Sequence, residues 1–179
     1  SKGAMIYERN AKSITLTPEI KKLLGLSKDK VTPNELMQAL LKHQSELLWF
    51  GGIGTYIKSA GESHLDVGDR ANDAIRINGS ELTTSVIGEG ANLGTTQLGR
   101  VEYALNGGRL NTDAIDNSAG VDCSDHEVNI KILIDAKVAS GKMSVKERNK
   151  LLATMTDEVG DLCLVDNYQQ SQAITMTQS

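Results

Sequence analysis

The sequence has 179 residues, 39% of them hydrophobic and 23% charged, with aromatics at 3% and a formal charge of −4. That length suffices for one ordinary domain, with a core that must rest on Leu, Ile, Val and Ala rather than on rings. An acidic chain with one Trp and one Phe offers neither a basic groove nor stacking platforms, which argues against a nucleic-acid partner, and no apolar run reaches the roughly 18–20 residues of a membrane span.

The first residues, SKGAMIYERN, hold neither an initiator Met nor the apolar segment of a signal peptide, so the chain is expected to be cut from something longer. Ala4 to Tyr7 reads as a short strand. Thr17-Pro18-Glu19 opens a helix, with Thr17 as N-cap and Pro18 at the first helical position, and Gly25 stops it after Leu24. Thr32-Pro33-Asn34-Glu35 repeats the signal as a capping box. Leu36, Met37, Leu40 and Leu41 then mark one apolar face. Leu47 to Phe50 is a continuous apolar run, the pattern of a buried strand, and it breaks into Gly51-Gly52-Ile53-Gly54. Trp49 and Phe50 are both expected in the core.

Residues 61–81 are polar without a strong period, and Asn78-Gly79 marks a turn. Asp69, Arg70, Asn72 and Asp73 fit either a polar network at a cleft or a solvated surface. Ser85 to Gly88 reads as a second buried strand that breaks into Glu89-Gly90-Ala91-Asn92. Thr95 and Thr96 are candidate caps for a helix to about Asn106, with Leu98, Val101, Ala104 and Leu105 as its stripe and Gly107-Gly108 as its stop. Arg109 to Asn111 is a brief strand and Asp113 to Asp122 a loop. A long helix is expected from about Asp125, two or more helices across Met143–Val165, and a frayed tail. Strands alternating with helices predict an α/β layer structure.

Asp122, Cys123, Ser124, Asp125, His126 and Glu127 stand in an unbroken row. Ligands that share a helical face need a spacing of three or four; Cys123 and His126 meet it, but His43 and His64 add no nearby partner, so no metal site is expected. A thiol nucleophile would need a base brought from elsewhere in the fold. The plainer reading is a capping box, with Ser124 and Glu127 starting a helix whose apolar residues, Val128 to Val138, cover most sides and so imply deep burial. A helix end that follows Asn117-Ser118-Ala119-Gly120-Val121 would also present free amides to an anion such as a carboxylate, with Ser124 available to a substrate instead of, or as well as, the cap. Cys123 and Cys163 form no disulfide framework, which points to buried small side chains in a reducing, cytoplasmic setting.

Glu89-Gly90-Ala91-Asn92, followed by Asn117-Ser118-Ala119-Gly120-Val121 and Ser124, resembles the glutamate dehydrogenase family, and the stretches LLWFGGIGTYIK, GDRANDAIRINGSEL and NTDAIDNSAGVDCSDHEVNIKI resemble its large NAD-specific bacterial members. The resemblance implies a partial Rossmann-type fold, a doubly wound and mostly parallel sheet, followed by C-terminal helices. Residues 1–140 would be the later half of the dinucleotide-binding domain and 141–179 a helical C-terminal extension. It implies NAD as cofactor, contacted by Gly52, Gly54, Gly90, Ala91, Asn92 and Asn117, and L-glutamate or 2-oxoglutarate contacted by Val121 and Ser124. The family's catalytic Lys and Asp, and its glycine-rich pyrophosphate turn, would lie outside this chain. Gly51-Gly52-Ile53-Gly54 does not have that turn's spacing. Ala119 and the pair Asp125-His126 depart from the small members of the family and fit the large class.

The resulting expectation is a piece of an NAD-dependent glutamate dehydrogenase that is inactive alone, with the rest of its polypeptide as partner and a homo-oligomeric parent. Two alternatives stand beside it. One is a non-catalytic binding or regulatory module on the same fold, and the other a related dehydrogenase for apolar amino acids.

Overall fold

A computed structural model describes residues 1–177 as two compact units. The first comprises Ser1–Gly88 and Leu93–Leu110; the second comprises Glu89–Asn92 and the chain from Asn111 onward. No helix among the described residues is long and apolar enough to cross a membrane.

The first unit opens with strand β1 (Ile14–Thr15), helix α1 (Pro18–Leu24), strand β2 (Lys30–Val31) and helix α2 (Pro33–Leu41). Both helix starts form as their sequences dictate. Thr17 accepts from the Ile20 amide at 3.3 Å, and Thr32 and Glu35 close a full capping box. Gly25 ends α1 in the left-handed region at φ 65°. β1 and β2 pair antiparallel, and Ile14, Leu16 and Val31 bury against Leu36 on α2. The expected strand at Ala4–Tyr7 is absent: those residues are irregular, and the Tyr7 hydroxyl instead donates to the Thr15 carbonyl at 3.0 Å.

Strand β3 (Leu47–Phe50), strand β4 (Ile57–Lys58), helix α3 (His64–Val67), strand β5 (Ile77–Asn78), strand β6 (Val86–Glu89), helix α4 (Gln97–Leu105) and strand β7 (Arg109–Leu110) complete this part of the chain. One sheet has the order β3-β6-β7; β4 and β5 form a parallel pair. β6, α4 and parallel β7 make a strand–helix–strand crossover, so the fold is α/β and partial Rossmann-like. Phe50, Ile57, Ile77, Ile87 and Tyr103 form the main core, each burial contributing roughly 1.5–3 kcal/mol. Tyr103 keeps its polar end satisfied by donating to the Thr84 carbonyl at 2.9 Å. Trp49 departs from expectation. Side chains alternate across β3, so Phe50 turns inward while Trp49, 57% exposed, lies over Gly88 on the sheet's other face. The polar stretch 61–81 holds α3, two short 3-10 helices and β5; Asn78 caps the second of these rather than making a simple turn. Thr96 alone caps α4, while Thr95 is fully buried.

Glu102 on α4 ties this unit together. Its carboxylate accepts from the Ser59 hydroxyl and the Ala60 amide, both at 2.8 Å, and from the Ser80 amide at 2.7 Å. Burial alone would push this carboxyl up, but these donors outweigh it and hold it at about 2.

The second unit carries helix α5 (Asp113–Asp116), helix α6 (Asp122–Ala139), helix α7 (Val145–Thr154) and helix α8 (Thr156–Thr177). The expected loop Asp113–Asp122 thus contains a helical turn, and α6 begins three residues earlier than Asp125. Its deep burial is also corrected. Ile134 is its buried residue, whereas Val128 is 48%, Ile132 65% and Leu133 67% exposed. The tail does not fray through Thr177, because α8 continues to that residue. Gln178 and Ser179, the end of that expectation, lie outside the described residues.

A carboxyl depressed in the fold stabilises it above the unfolded value and loses that contribution as pH falls through the folded value. The stability difference between wild type and Glu102→Gln should therefore be constant above about pH 4.5 and shrink toward pH 2. Denaturant unfolding at stepped pH checks this, and a difference that does not change across that window would refute it.

Candidate functional site

β6 and β7 run parallel in register Val86↔Arg109 and Ile87↔Leu110. Their carboxyl ends therefore finish at one edge, where open α/β sheets bind ligands. Glu89-Gly90-Ala91-Asn92 leaves the end of β6, and Asn111 to Asn117 follows β7. Hydrogen bonds join the two segments. The Glu89 amide donates to Asp116 Oδ2 at 3.0 Å, Asn111 Nδ2 to Asp116 Oδ1 at 3.1 Å, and Asn117 Nδ2 to Asn92 Oδ1 at 3.0 Å. Sequence reasoning missed Asp116 because its segment read as a loop. Within these segments Glu89 and Ala91 are buried, Gly90 and Asn117 half-buried, and Asn92 exposed. Leu93, directly after Asn92, is held at φ 55°, a strained left-handed conformation for a residue with a branched side chain.

Asn117 also shapes the turn into α6. Its carbonyl accepts from the amides of Gly120 at 3.0 Å and Val121 at 2.9 Å, and the Ser118 carbonyl accepts from Asp122 at 3.0 Å and Cys123 at 3.2 Å. This narrows the expected anion-binding helix end: the amides of Gly120, Val121, Asp122, Cys123 and Asp125 are occupied by the preceding turn. The reason is that Val121 is already in the right-handed helical region and feeds α5 and its turn straight into α6. The Ser124–Glu127 capping box does not form either. Ser124 is the third residue inside α6 and exposed, and Glu127 pairs with Lys131 one turn on. Val121 is half-buried. Gly120 has a spatial role, since a Cβ there would come within 2.8 Å of the Asn117 carboxamide that reaches Asn92.

The rest of the charged row packs against α8. His126 Nε2 lies 3.7 Å from Asp122 Oδ1 and 3.0 Å from Asp166 Oδ2. Asp122, His126 and the buried Cys163 bring their ligand atoms within 4.8 Å of one another. Burial, and then the Asp122 carboxylate, push the Cys163 thiol up to about 11, which does not suit a nucleophile. His126 is engaged by carboxylates, so a Cys123–His126 nucleophile pair is not what the fold builds.

Gly52 and Gly54 belong to the first unit. Gly52 is exposed in open space, and Gly54 sits at φ 132°, where a Cβ would meet Asn72 Nδ2 at 2.7 Å. The next residue, Thr55, has both backbone groups held by side chains. Its amide donates to Asp69 Oδ2 at 2.9 Å and its carbonyl accepts from Arg76 Nε at 2.8 Å. Arg76 is 3% exposed and also donates to Asp73 Oδ1 and the Asp69 carbonyl, both at 2.6 Å, with His64 Nδ1 2.8 Å away. Asn72 donates to Asp69 Oδ2 at 2.7 Å; this bond first, then the Thr55 amide, holds the Asp69 carboxyl below its usual range. Asp69, Asn72 and Asp73 thus form a built network rather than a solvated surface, while Arg70 is exposed. Arg76 and His64 are the members that sequence reasoning missed. The one available signal was an Arg between two isoleucines.

Comparison with known proteins points one way. The family described as bacterial NAD-glutamate dehydrogenase, catalytic domain, matches residues 1–177. The NAD-specific glutamate dehydrogenases of Halomonas elongata and Pseudomonas aeruginosa are each 57% identical over 178 residues, covering 99% of this chain. That of Mycobacterium tuberculosis is 52% identical over 177 residues, covering 96%. The chain spans 11% of the length of each of these curated relatives.

Removing a buried guanidinium leaves the carboxylates and carbonyls around it without their donor. Arg76→Met should therefore cost about 3–5 kcal/mol of unfolding free energy, measured by chemical denaturation. A loss below about 1 kcal/mol would show that the guanidinium does not hold this region.

Proposed function

The chain belongs to the bacterial NAD-glutamate dehydrogenase catalytic-domain family, and from that premise we propose that it is the nicotinamide-side segment of an enzyme that deaminates L-glutamate oxidatively to 2-oxoglutarate and ammonia. The observation that carries the reading is the Asn117–Asn92 hydrogen bond at the carboxyl ends of two parallel strands. NAD, when bound, supplies the hydride acceptor for the hydrogen on the glutamate α-carbon.

The residues present fit the nicotinamide end of that cofactor. Asn117 Nδ2 uses one hydrogen on Asn92, which leaves its second N–H, its side-chain Oδ1 and the exposed Asn92 carboxamide group to orient a polar ring substituent. Gly90 and Ala91 keep the loop free of long side chains. No residue set here suits the pyrophosphate, so that contact is assigned to residues outside this chain.

For the substrate, the exposed Ser124 hydroxyl donates to the distal carboxylate and the half-buried Val121 gives the side-chain methylenes an apolar wall. With the amides of Asp122, Cys123 and Asp125 occupied, the hydroxyl bears most of that recognition. A second carboxylate contact is also what separates this reading from a dehydrogenase for apolar amino acids. The groups that move protons at the α-amino nitrogen are assigned to other parts of the polypeptide. In this reading residues 1–140 are the later half of the cofactor domain and 141–179 a helical extension.

Two expectations test the proposal. In the full-length enzyme, Ser124→Leu should lower kcat/KM for glutamate by roughly 10- to 150-fold, as loss of a hydrogen bond to a charged group would, while NAD affinity stays within about twofold. Equal losses in both would remove Ser124 from the substrate site. Gly120→Ala, which displaces the Asn117 carboxamide, should instead lower kcat by about tenfold or more, as misplaced positioning groups do; wild-type kcat would count against the Asn117 role.

A further inference from the structure

We propose that Asp122 and His126 on α6, with Cys163 and Asp166 on α8, form a structural zinc site that clamps the first turn of α6 to α8.

The geometry comes from two helices that each offer two donors on one face. Asp122 and His126 are four residues apart, and Cys163 and Asp166 three apart, the spacings that put side chains side by side on a helix. Packing of α6 on α8 brings the Asp122, His126 and Cys163 donor atoms within 4.8 Å of one another. A tetrahedral zinc ion with bonds of about 2.0–2.3 Å holds its donor atoms roughly 3.3–3.8 Å apart. The His126–Asp122 separation of 3.7 Å already has that value, whereas Asp166 Oδ2, hydrogen-bonded to the same imidazole nitrogen at 3.0 Å, must give up that bond to become a ligand. Small rotamer changes draw the thiol in, and the Asp166 carboxylate, which is not one of the three donors grouped within 4.8 Å, must swing onto the ion to complete the shell.

The donor chemistry points to zinc. One sulfur, one imidazole nitrogen and two carboxylate oxygens form a mixed set, which a borderline-soft ion accepts and which magnesium or calcium, bound through oxygen alone, does not. A separate observation marks the spot as incomplete on its own. Asp122 Oδ2 is buried with no hydrogen-bond partner among the described residues, and a buried carboxylate oxygen without a donor is costly. A cation supplies the missing partner. With Asp166 turned onto the ion, four protein donors leave no open position for a substrate water, so the ion's role is structural.

The consequence falls on the neighbouring residues. Asp122 follows Val121 and precedes Ser124 by two positions, so a metal bond at Asp122 would fix the turn that displays both. The assignment itself does not depend on what those two residues bind.

The test uses the full-length protein, stripped with a chelator under reducing conditions and reloaded with zinc or cobalt(II) alone. Wild type should retain a zinc equivalent that Cys163→Ser lacks, and its cobalt(II) form should show a thiolate-to-metal charge-transfer band. Cys123→Ser, which keeps all four donors, should retain both. The wild-type band does not depend on any variant folding. Its absence, zinc content unchanged in Cys163→Ser, or loss in Cys123→Ser with retention in Cys163→Ser would each overturn the proposal. The first of these would leave a plain ion-pair cluster of His126 between two carboxylates.

Discussion

The parallel pairing of β6 with β7 is the constraint on which the candidate site depends. Parallel neighbours cannot be joined by a tight turn, so the chain must cross back over the sheet, and α4 is that crossover. Both strands then point the same way and release their next residues at the same edge. Asn92 and Asn117 are 25 positions apart in sequence, yet their carboxamides meet at 3.0 Å. Asp116 secures the arrangement by accepting from the Glu89 backbone with one oxygen and from Asn111 with the other. An antiparallel hairpin at this place would have sent the two segments to opposite ends of the sheet.

The second unit shows what packing adds to that constraint and what it leaves open. α6 is apolar on most sides, the pattern of a helix surrounded by protein. In this chain it buries Ile134 and leaves Ile132 and Leu133 more than half exposed, and α8 leaves Leu164 and Tyr168 exposed in the same way. Its interior is correspondingly polar, with His126, two aspartates and a thiol where α6 meets α8. Burial of apolar area therefore holds this unit weakly, and the specific polar contacts carry more of its organisation than they do in the core around Phe50 and Tyr103.

What the sequence disclosed followed from rules that act over a few residues. Thr17-Pro18 and the Thr32–Glu35 box fixed two helix starts because capping is local. The strands before the glycine loops were legible from apolar runs. Trp49 was misjudged because a four-residue run does not reveal which alternate residues face the core. The capping signal at Ser124 was overridden by a turn upstream that had already supplied the helix's first acceptors, a competition that spacing alone cannot settle. The proximity of Asn92 to Asn117 entered only through likeness to a family. The grouping of Asp122 and His126 with Cys163 required knowing that α8 returns against α6, about 40 residues later.

The first unit makes a related point about how an irregular loop is held still. Thr55 lies between the Gly51–Gly54 stretch and β4, and its own amide and carbonyl are satisfied by Asp69 and Arg76 side chains. Those side chains come from a stretch with no periodicity, because their task is to meet backbone groups at particular points and not to cover a face. Burying Arg76 costs desolvation that a hydrophobic residue would avoid, so stability alone does not explain its place. The guanidinium returns something a methyl group cannot: a planar set of donors that fixes the Thr55 carbonyl, the Asp69 backbone and the Asp73 carboxylate at once. With Thr55 held on both sides, Gly54 is confined to a left-handed conformation that an L side chain rarely adopts, and the space a Cβ would need is taken by Asn72 and Tyr56. The glycine and the polar stretch around Arg76 therefore specify each other, and a change at either is felt first in the shape of the loop that precedes β4.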